Sequence, residues 1–294
     1  MCDDFTAEAE DANLARRGLN RRQFAAIGAG AAAGAALTGC TNVMKLRGAN
    51  ALNERMVSIT TADGVADAFF VHPAKGSHPA VILWPDIAGL REAKKIMART
   101  LAAEGHAVLV VNPYYRGEPA PVFESFAAFR TPEGQAKVAP LRAALTPDAI
   151  TRDARAYVAF LDAQKAVDTK RGIGSNGYCM GGPFTVRTAA AVPGRVRAAA
   201  SFHGAGLVTD QDDSPHRLLA RTQASYLFAI ARNDDAKQPD QKTDLKQAAS
   251  AAGRPAEVEV YPADHGWCVP DSPAWDPDAA DKAWQRMLAL YAAL

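Results

Sequence analysis

Short apolar runs alternate with stretches whose apolar positions recur every three to four residues, and this alternation covers most of the chain. Residues 80–84 (AVILW) and 107–111 (AVLVV) are unbroken apolar runs of strand length, as expected for strands covered on both faces. Between them, residues 91–103 carry a helical period, so the three segments predict a βαβ unit with parallel strands. Residues 56–60 and 65–71 flank Thr61-Ala62-Asp63-Gly64 and predict an antiparallel hairpin at a sheet edge, turned by Asp-Gly. Thr146-Pro147-Asp148 is a helix start, with Thr as N-cap, Pro at the first helical position and an acidic first turn, leading into residues 150–163. A strand from 171 ending at Gly177 and a helix over 183–191 follow. Residues 196–202, 226–231 and 258–261 predict three more strands, with a helix over 243–252 before the last. Residues 282–294 close the chain as an amphipathic helix whose Trp284, Met287, Leu288 and Tyr291 form one stripe, a core-packing pattern. Residues 117–145 show several prolines and no period, which predicts a long surface excursion. The order describes a twisted, mainly parallel sheet with helices on both faces, and places functional groups at the carboxyl ends of its strands.

Composition narrows this picture. With 294 residues, 48% hydrophobic, the chain can bury one substantial core, and a single α/β domain is expected over residues 56–294. The net charge of +1, with no basic patch interleaved with aromatics, argues against a nucleic-acid partner. The first forty residues concern address. Asn20-Arg21-Arg22-Gln23-Phe24 resembles a twin-arginine export motif, and the Ala- and Gly-rich residues 25–37 suit a signal h-region while falling short of the roughly 20 apolar residues a membrane span needs. Leu37-Thr38-Gly39-Cys40 resembles a bacterial lipobox, in which Cys40 would be lipidated. The expected organisation is an export leader over 1–40, a linker over 41–55 and the folded domain. This implies the twin-arginine export machinery as a partner, membrane contact only through a lipid on Cys40, and a periplasmic location. The other reading of residues 1–40 is a disordered arm on a cytosolic enzyme.

The stretch richest in chemistry is Gly177-Tyr178-Cys179-Met180-Gly181-Gly182. Strand, sharp glycine-flanked turn and helix form a nucleophile elbow, with cysteine where serine usually stands. A thiolate nucleophile needs a base, and the base needs a carboxylate to fix its tautomer. His265, in Ala263-Asp264-His265-Gly266-Trp267 just past the last strand, is the candidate base. Asp234, just past the preceding strand, is the candidate acid; Asp235 and Asp264 are alternatives. An oxyanion hole is expected from the backbone amides of Met180, after the nucleophile, and Ile87, in the loop after residues 80–84. His203 ends another strand and reads first as a structural residue; with Tyr178 it is also a candidate for the pocket wall. Two cysteines in the folded domain, Cys179 and Cys268, do not make a disulfide framework, although an oxidising compartment could join them.

Five ordered blocks resemble the dienelactone hydrolases (carboxymethylenebutenolidases): Asp86-Ile87-Ala88-Gly89-Leu90-Arg91, then Met97-Ala98 with Leu101-Ala102, Asn112-Pro113-Tyr114-Tyr115-Arg116, the Cys179 elbow, and Asp264-His265-Gly266. The resemblance covers residues 57–294. It implies an α/β-hydrolase fold, a Cys179–Asp234–His265 triad, oxyanion donors at Ile87 and Met180, and neither cofactor nor metal. Two departures stand out. The family's type enzyme has a glutamate that pairs with the thiol, where this chain has Asp86. It also has a carboxylate-binding arginine shortly after the histidine, where this chain reads Gly266-Trp267-Cys268-Val269. Arg116 and Arg91 are the remaining candidates for that duty, and Trp267 is a candidate to pack on substrate. The expected activity is hydrolysis of a small ester or lactone. The readings from other classes are a non-catalytic exported binding protein and a thiol redox protein using Cys179 with Cys268.

Overall fold

The computed structural model describes residues 51–294; the leader expectations at Arg21, Arg22 and Cys40, and most of the expected linker, lie outside the described residues. Eight strands form one sheet: β1 (Leu52–Thr61), β2 (Gly64–Pro73), β3 (Ala80–Trp84), β4 (Ala107–Val111), β5 (Ile173–Tyr178), β6 (Val196–Phe202), β7 (Ser225–Ala231) and β8 (Ala256–Tyr261). Their spatial order is β1-β2-β4-β3-β5-β6-β7-β8. The hairpin β1–β2 joins β4 antiparallel, and every pairing from β4 through β8 is parallel.

β3 and β4 are buried at every position, which is why their sequences are continuous apolar runs with no alternation. Ile82, Trp84 and Leu109 face one core layer, where α4 (Pro147–Asp162) and α5 (Gly182–Ala191) pack. Val81, Leu83 and Val108 face the other, closed by Met97 and Leu101 of α1 (Glu92–Ala103) and by Met287 and Tyr291 of the C-terminal helix. Each large apolar side chain so buried contributes about 1.5–3 kcal/mol. No helix among the described residues is long and apolar enough to cross a membrane.

The expected elements are present, with informative differences at their edges. β1 begins at Leu52, ahead of the strand expected from residue 56, because its first residues are largely exposed and polar and pair with β2 through their backbone. The residue 117–145 excursion contains α2 (Phe126–Phe129) and α3 (Pro132–Ala143), capped by the side chains of Ser125 and Thr131. Pro140 inside α3 and the many exposed positions hide the helical period. This segment folds over the strand ends as a cap: Phe123, Phe126, Phe129 and Val138 bury against Ile87 and Tyr114. Asp234 sits in a short helix, α6 (Arg232–Lys237), directly after β7, and α7 (Gln241–Ala251) follows it. The last helix, α8 (Pro277–Tyr291), starts earlier than residue 282 because Asp276 accepts a hydrogen bond from the Ala279 amide at 3.0 Å.

Candidate active site

Cys179 lies where β5 ends and a single 3-10 turn, Cys179–Gly181, opens into α5. Its backbone is left-handed, with φ of 52°, a conformation that a side-chain-bearing residue adopts at a cost. The glycines make this turn possible. A Cβ at Gly177 would collide with the Gly181 carbonyl, and one at Gly181 would stand 2.6 Å from the carbonyl oxygens of Trp84 and Pro85. The elbow is therefore pressed against the end of β3, from which the Ile87 loop departs.

His265 follows β8 on a loop fixed by its own amide, which donates to Asn233 Oδ1 at 2.9 Å. Its Nδ1 is 2.7 Å from Asp234 Oδ2. The two alternative carboxylates are committed elsewhere: Asp235 to Lys242 at 2.7 Å and Asp264 to Arg232 at 2.7 Å. Cys179 Sγ, a ring nitrogen of His265 and a ring nitrogen of His203 all lie within 4.8 Å of one another. His203 is buried, adopts φ of 41°, and sets its ring 4.6 Å from that of His265 and 5.2 Å from that of Trp267. Burial, reinforced by the neighbouring His265, holds its imidazole well below the ordinary range, so it is neutral at physiological pH.

A cavity of about 190 Å³ opens at the nucleophile, lined by Cys179, Ile87 and Met180 together with Arg142, Leu145 and Phe184. Arg142 and its neighbour Leu145 come from the cap, and sequence reasoning missed both. A signal was present: Thr131-Pro132-Glu133 repeats the N-cap, proline, acidic pattern of Thr146-Pro147-Asp148 and marks the start of the helix that delivers Arg142. Among the described residues, Arg142 has no acidic partner.

Several expected pocket residues are placed elsewhere. Arg116 is held away by carboxylates of the β1–β2 turn and α4, its guanidinium binding Asp63 and Asp153, each at 2.7 Å. Trp267 is fully buried and stacks on Tyr261 with centroids 5.1 Å apart, so it belongs to the core beneath α8. Tyr178 stacks on Phe202 at 5.1 Å and lines a separate small cavity with Cys268 and Met97. The alternation of strand side chains sends Tyr178 into the α1–α8 layer, away from the Cys179 cavity.

Asp86, expected to modulate the thiol, is held by two cations and a backbone amide. Its carboxylate is buried and bound by Arg91 at 2.7 Å, by Lys94 at 2.8 Å and by the Ala88 amide at 3.0 Å. Arg91 is fully buried and grips Asp271 with its remaining nitrogens at 2.7 Å, which leaves it nothing for a substrate carboxylate. Asp271 in turn accepts from the Phe126 amide at 2.9 Å, tying the cap to the loop beyond His265. Although burial alone would raise it, the Arg91 and Lys94 charges hold the Asp86 carboxyl far below the usual carboxylate range. Lys94 also stands over the Tyr178 ring at 4.3 Å.

No disulfide joins Cys179 and Cys268. Burial pushes the Cys268 thiol far up, so it is a poor source of thiolate.

A model of the dienelactone hydrolase family matches residues 66–294. A protein from Methylorubrum extorquens assigned as a carboxymethylenebutenolidase is 29% identical over 246 residues, covering 81% of this chain and 80% of its own. The carboxymethylenebutenolidase of Rhodococcus opacus is 27% identical, covering 74% of this chain and 81% of its own. A crystal structure from Klebsiella pneumoniae, assigned as a dienelactone hydrolase, superposes with a TM-score of 0.71 at 24% identity, covering 83% of this chain and all of the other. The fold of this chain, an eight-stranded, mostly parallel sheet flanked by helices, is that of an α/β-hydrolase. The family match spans the strand ends that carry Cys179, Asp234 and His265, and the chain belongs to the dienelactone hydrolase family, a family of hydrolases.

Proposed function

We propose that this protein hydrolyses a small carboxylic ester or lactone through a thioacyl-enzyme formed on Cys179. The observation that carries the reading is the 2.7 Å contact between His265 Nδ1 and Asp234 beside a left-handed cysteine elbow. Asp234 fixes the tautomer in which His265 Nδ1 carries hydrogen, so Nε2 is the basic nitrogen. His265 takes the Cys179 proton, and the thiolate attacks the substrate carbonyl. The amides of Ile87 and Met180, both at the cavity wall, donate to the developing oxyanion. As the tetrahedral adduct collapses, His265 returns the proton to the departing alkoxide and a thioester remains. Water, deprotonated by His265, then attacks the thioester, releasing the acid and restoring the thiol.

A panel of p-nitrophenyl esters, enol lactones and thioesters tests this, each neutral compound paired with a carboxylate-bearing analogue because the Arg142 guanidinium at the cavity, without an acidic partner among the described residues, favours an anionic substrate. On the best substrate, His265→Ala is expected to lower the rate about 10²- to 10⁴-fold, with Asp234→Asn losing less. Asp235→Asn breaks only the Lys242 pair and should stay near wild type. If Asp235→Asn is the more damaging of the two aspartate changes, the orienting acid is misassigned.

We also propose that residues 1–40 direct twin-arginine export and lipidation at Cys40, on the strength of Arg21-Arg22, the Ala/Gly run and Leu37-Thr38-Gly39-Cys40. Wild type is expected to fractionate with membranes, and the Arg21→Lys, Arg22→Lys double variant to remain cytoplasmic. Full-length protein with unmodified Cys40 in the cytosol of its own host overturns the proposal.

A further inference from the structure

His203 is the least explained residue of the site. Its ring is buried, with 1% of the residue exposed, and among the described residues neither ring nitrogen has a hydrogen-bond partner in another residue. Buried polar atoms in native proteins are nearly always satisfied by protein or by a bound species, so such a group calls for a partner from outside the chain. A ring nitrogen of His203 lies within 4.8 Å of Cys179 Sγ and of a His265 ring nitrogen. Tetrahedral zinc, with bonds of about 2.3 Å to sulfur and about 2.0–2.1 Å to nitrogen, spaces its ligands roughly 3.3–3.6 Å apart. Side-chain movements of about an ångström would therefore close the three donors on one ion.

We propose that Cys179, His203 and His265 form a three-ligand site for a thiophilic divalent cation, Zn²⁺ being the natural occupant, with the fourth position open to water. The donor set of one thiolate and two imidazoles suits zinc rather than magnesium or calcium, which prefer oxygen. Asp234 completes the arrangement. With Nδ1 of His265 directed at its carboxylate, Nε2 becomes the ligating nitrogen, the carboxylate–histidine–metal geometry common in zinc sites. The ion displaces the Cys179 proton, which passes to solvent, so affinity rises with pH. Besides His265, the charged groups that act on His203 are Lys94 and Asp86, with opposite sign. Within the hydrolase reading proposed above, on which this consequence rests, an ion held by both nucleophile and base stops turnover. The site is thus a reversible metal brake.

Cobalt titration of the full-length, untagged, reduced protein tests the site without reference to turnover. Co²⁺ should give the visible bands of tetrahedral coordination together with a thiolate-to-cobalt charge-transfer band, both displaced by Zn²⁺. Cys179→Ser should remove the charge-transfer band, which separates this thiol from those at positions 2, 40 and 268. His203→Asn, checked for folding by circular dichroism, should weaken Co²⁺ and Zn²⁺ binding at least about tenfold, and Asp234→Asn about 10- to 100-fold. In an ester assay, Zn²⁺ should stop hydrolysis and a chelator restore it. Absence of the charge-transfer band in folded wild type, its survival in Cys179→Ser, or unchanged affinity in folded His203→Asn overturns the site. A protein that shows the cobalt spectrum yet hydrolyses no ester keeps the metal site and loses the hydrolase reading.

Discussion

Cys179→Ala is expected to reduce ester turnover by on the order of 10⁴-fold or more while the far-ultraviolet circular dichroism stays that of the wild type. The argument is geometric. Cys179 lines the cavity shared with both proposed oxyanion amides, on a turn whose close packing only glycines at 177 and 181 allow. Removing the sulfur removes the group that must bond to the carbonyl, and neither His265 nor a water held in its place reproduces a covalent intermediate. Cys179→Ser should also be poor, because a base set to deprotonate a thiol is too weak for a hydroxyl. Iodoacetamide should inactivate the wild type stoichiometrically, with the label at Cys179 by peptide mass, since burial disfavours the thiolate of Cys268. Substantial activity in the alanine variant refutes the assignment.

Asp86→Asn is expected to cost about 3–5 kcal/mol of folding stability, one of the largest losses available at a single polar position. The substitution keeps size and shape but removes the charge that holds Lys94, a lysine with no exposed surface, and half of the grip on Arg91. Lys94 is then an ammonium buried without its counter-ion. Its removal in the same background is the discriminating step: Asp86→Asn with Lys94→Met should recover a good part of the lost stability, read as a rise in Tm or in the denaturant midpoint. Simple addition of the two single losses contradicts the ion-pair account. Acid should act as the substitution does. The Asp86 carboxyl is depressed in the folded state, so its stabilisation is complete above the ordinary carboxylate range and is lost as pH falls below it.

What could be read in advance depended on whether burial wrote itself into the sequence. β3 and β4 are covered on both faces and announce themselves as apolar runs; α1 and α8 present one face and carry a helical period. The first half of β1 is held by backbone pairing under exposed polar side chains, and no hydropathy pattern records that. The elbow was legible because steric demand at Gly177 and Gly181 selects residue type directly. The pocket wall was not. Trp267 and Arg116 stand next to site motifs in sequence, but stacking on Tyr261 claims one and the carboxylates of Asp63 and Asp153 claim the other. Arg142 reaches the cavity only because the cap folds over the Ile87 loop, a tertiary fact carried by an aromatic cluster. Arg91 shows the same limit from the other side: an arginine in a family motif reads as a ligand for substrate until Asp86 and Asp271 are seen to occupy it.

The left-handed backbone at Cys179 has an implication for how this scaffold can be improved. Strain of this kind costs about 1–3 kcal/mol, and glycine would carry none of it. Selection for heat resistance alone would therefore favour losing the nucleophile at the very position that turnover requires. An engineered library screened for solubility or melting temperature should drift toward inactive scaffolds unless catalysis is selected in the same round, and stabilising changes are better sought in the cap and along β1, at a distance from the elbow.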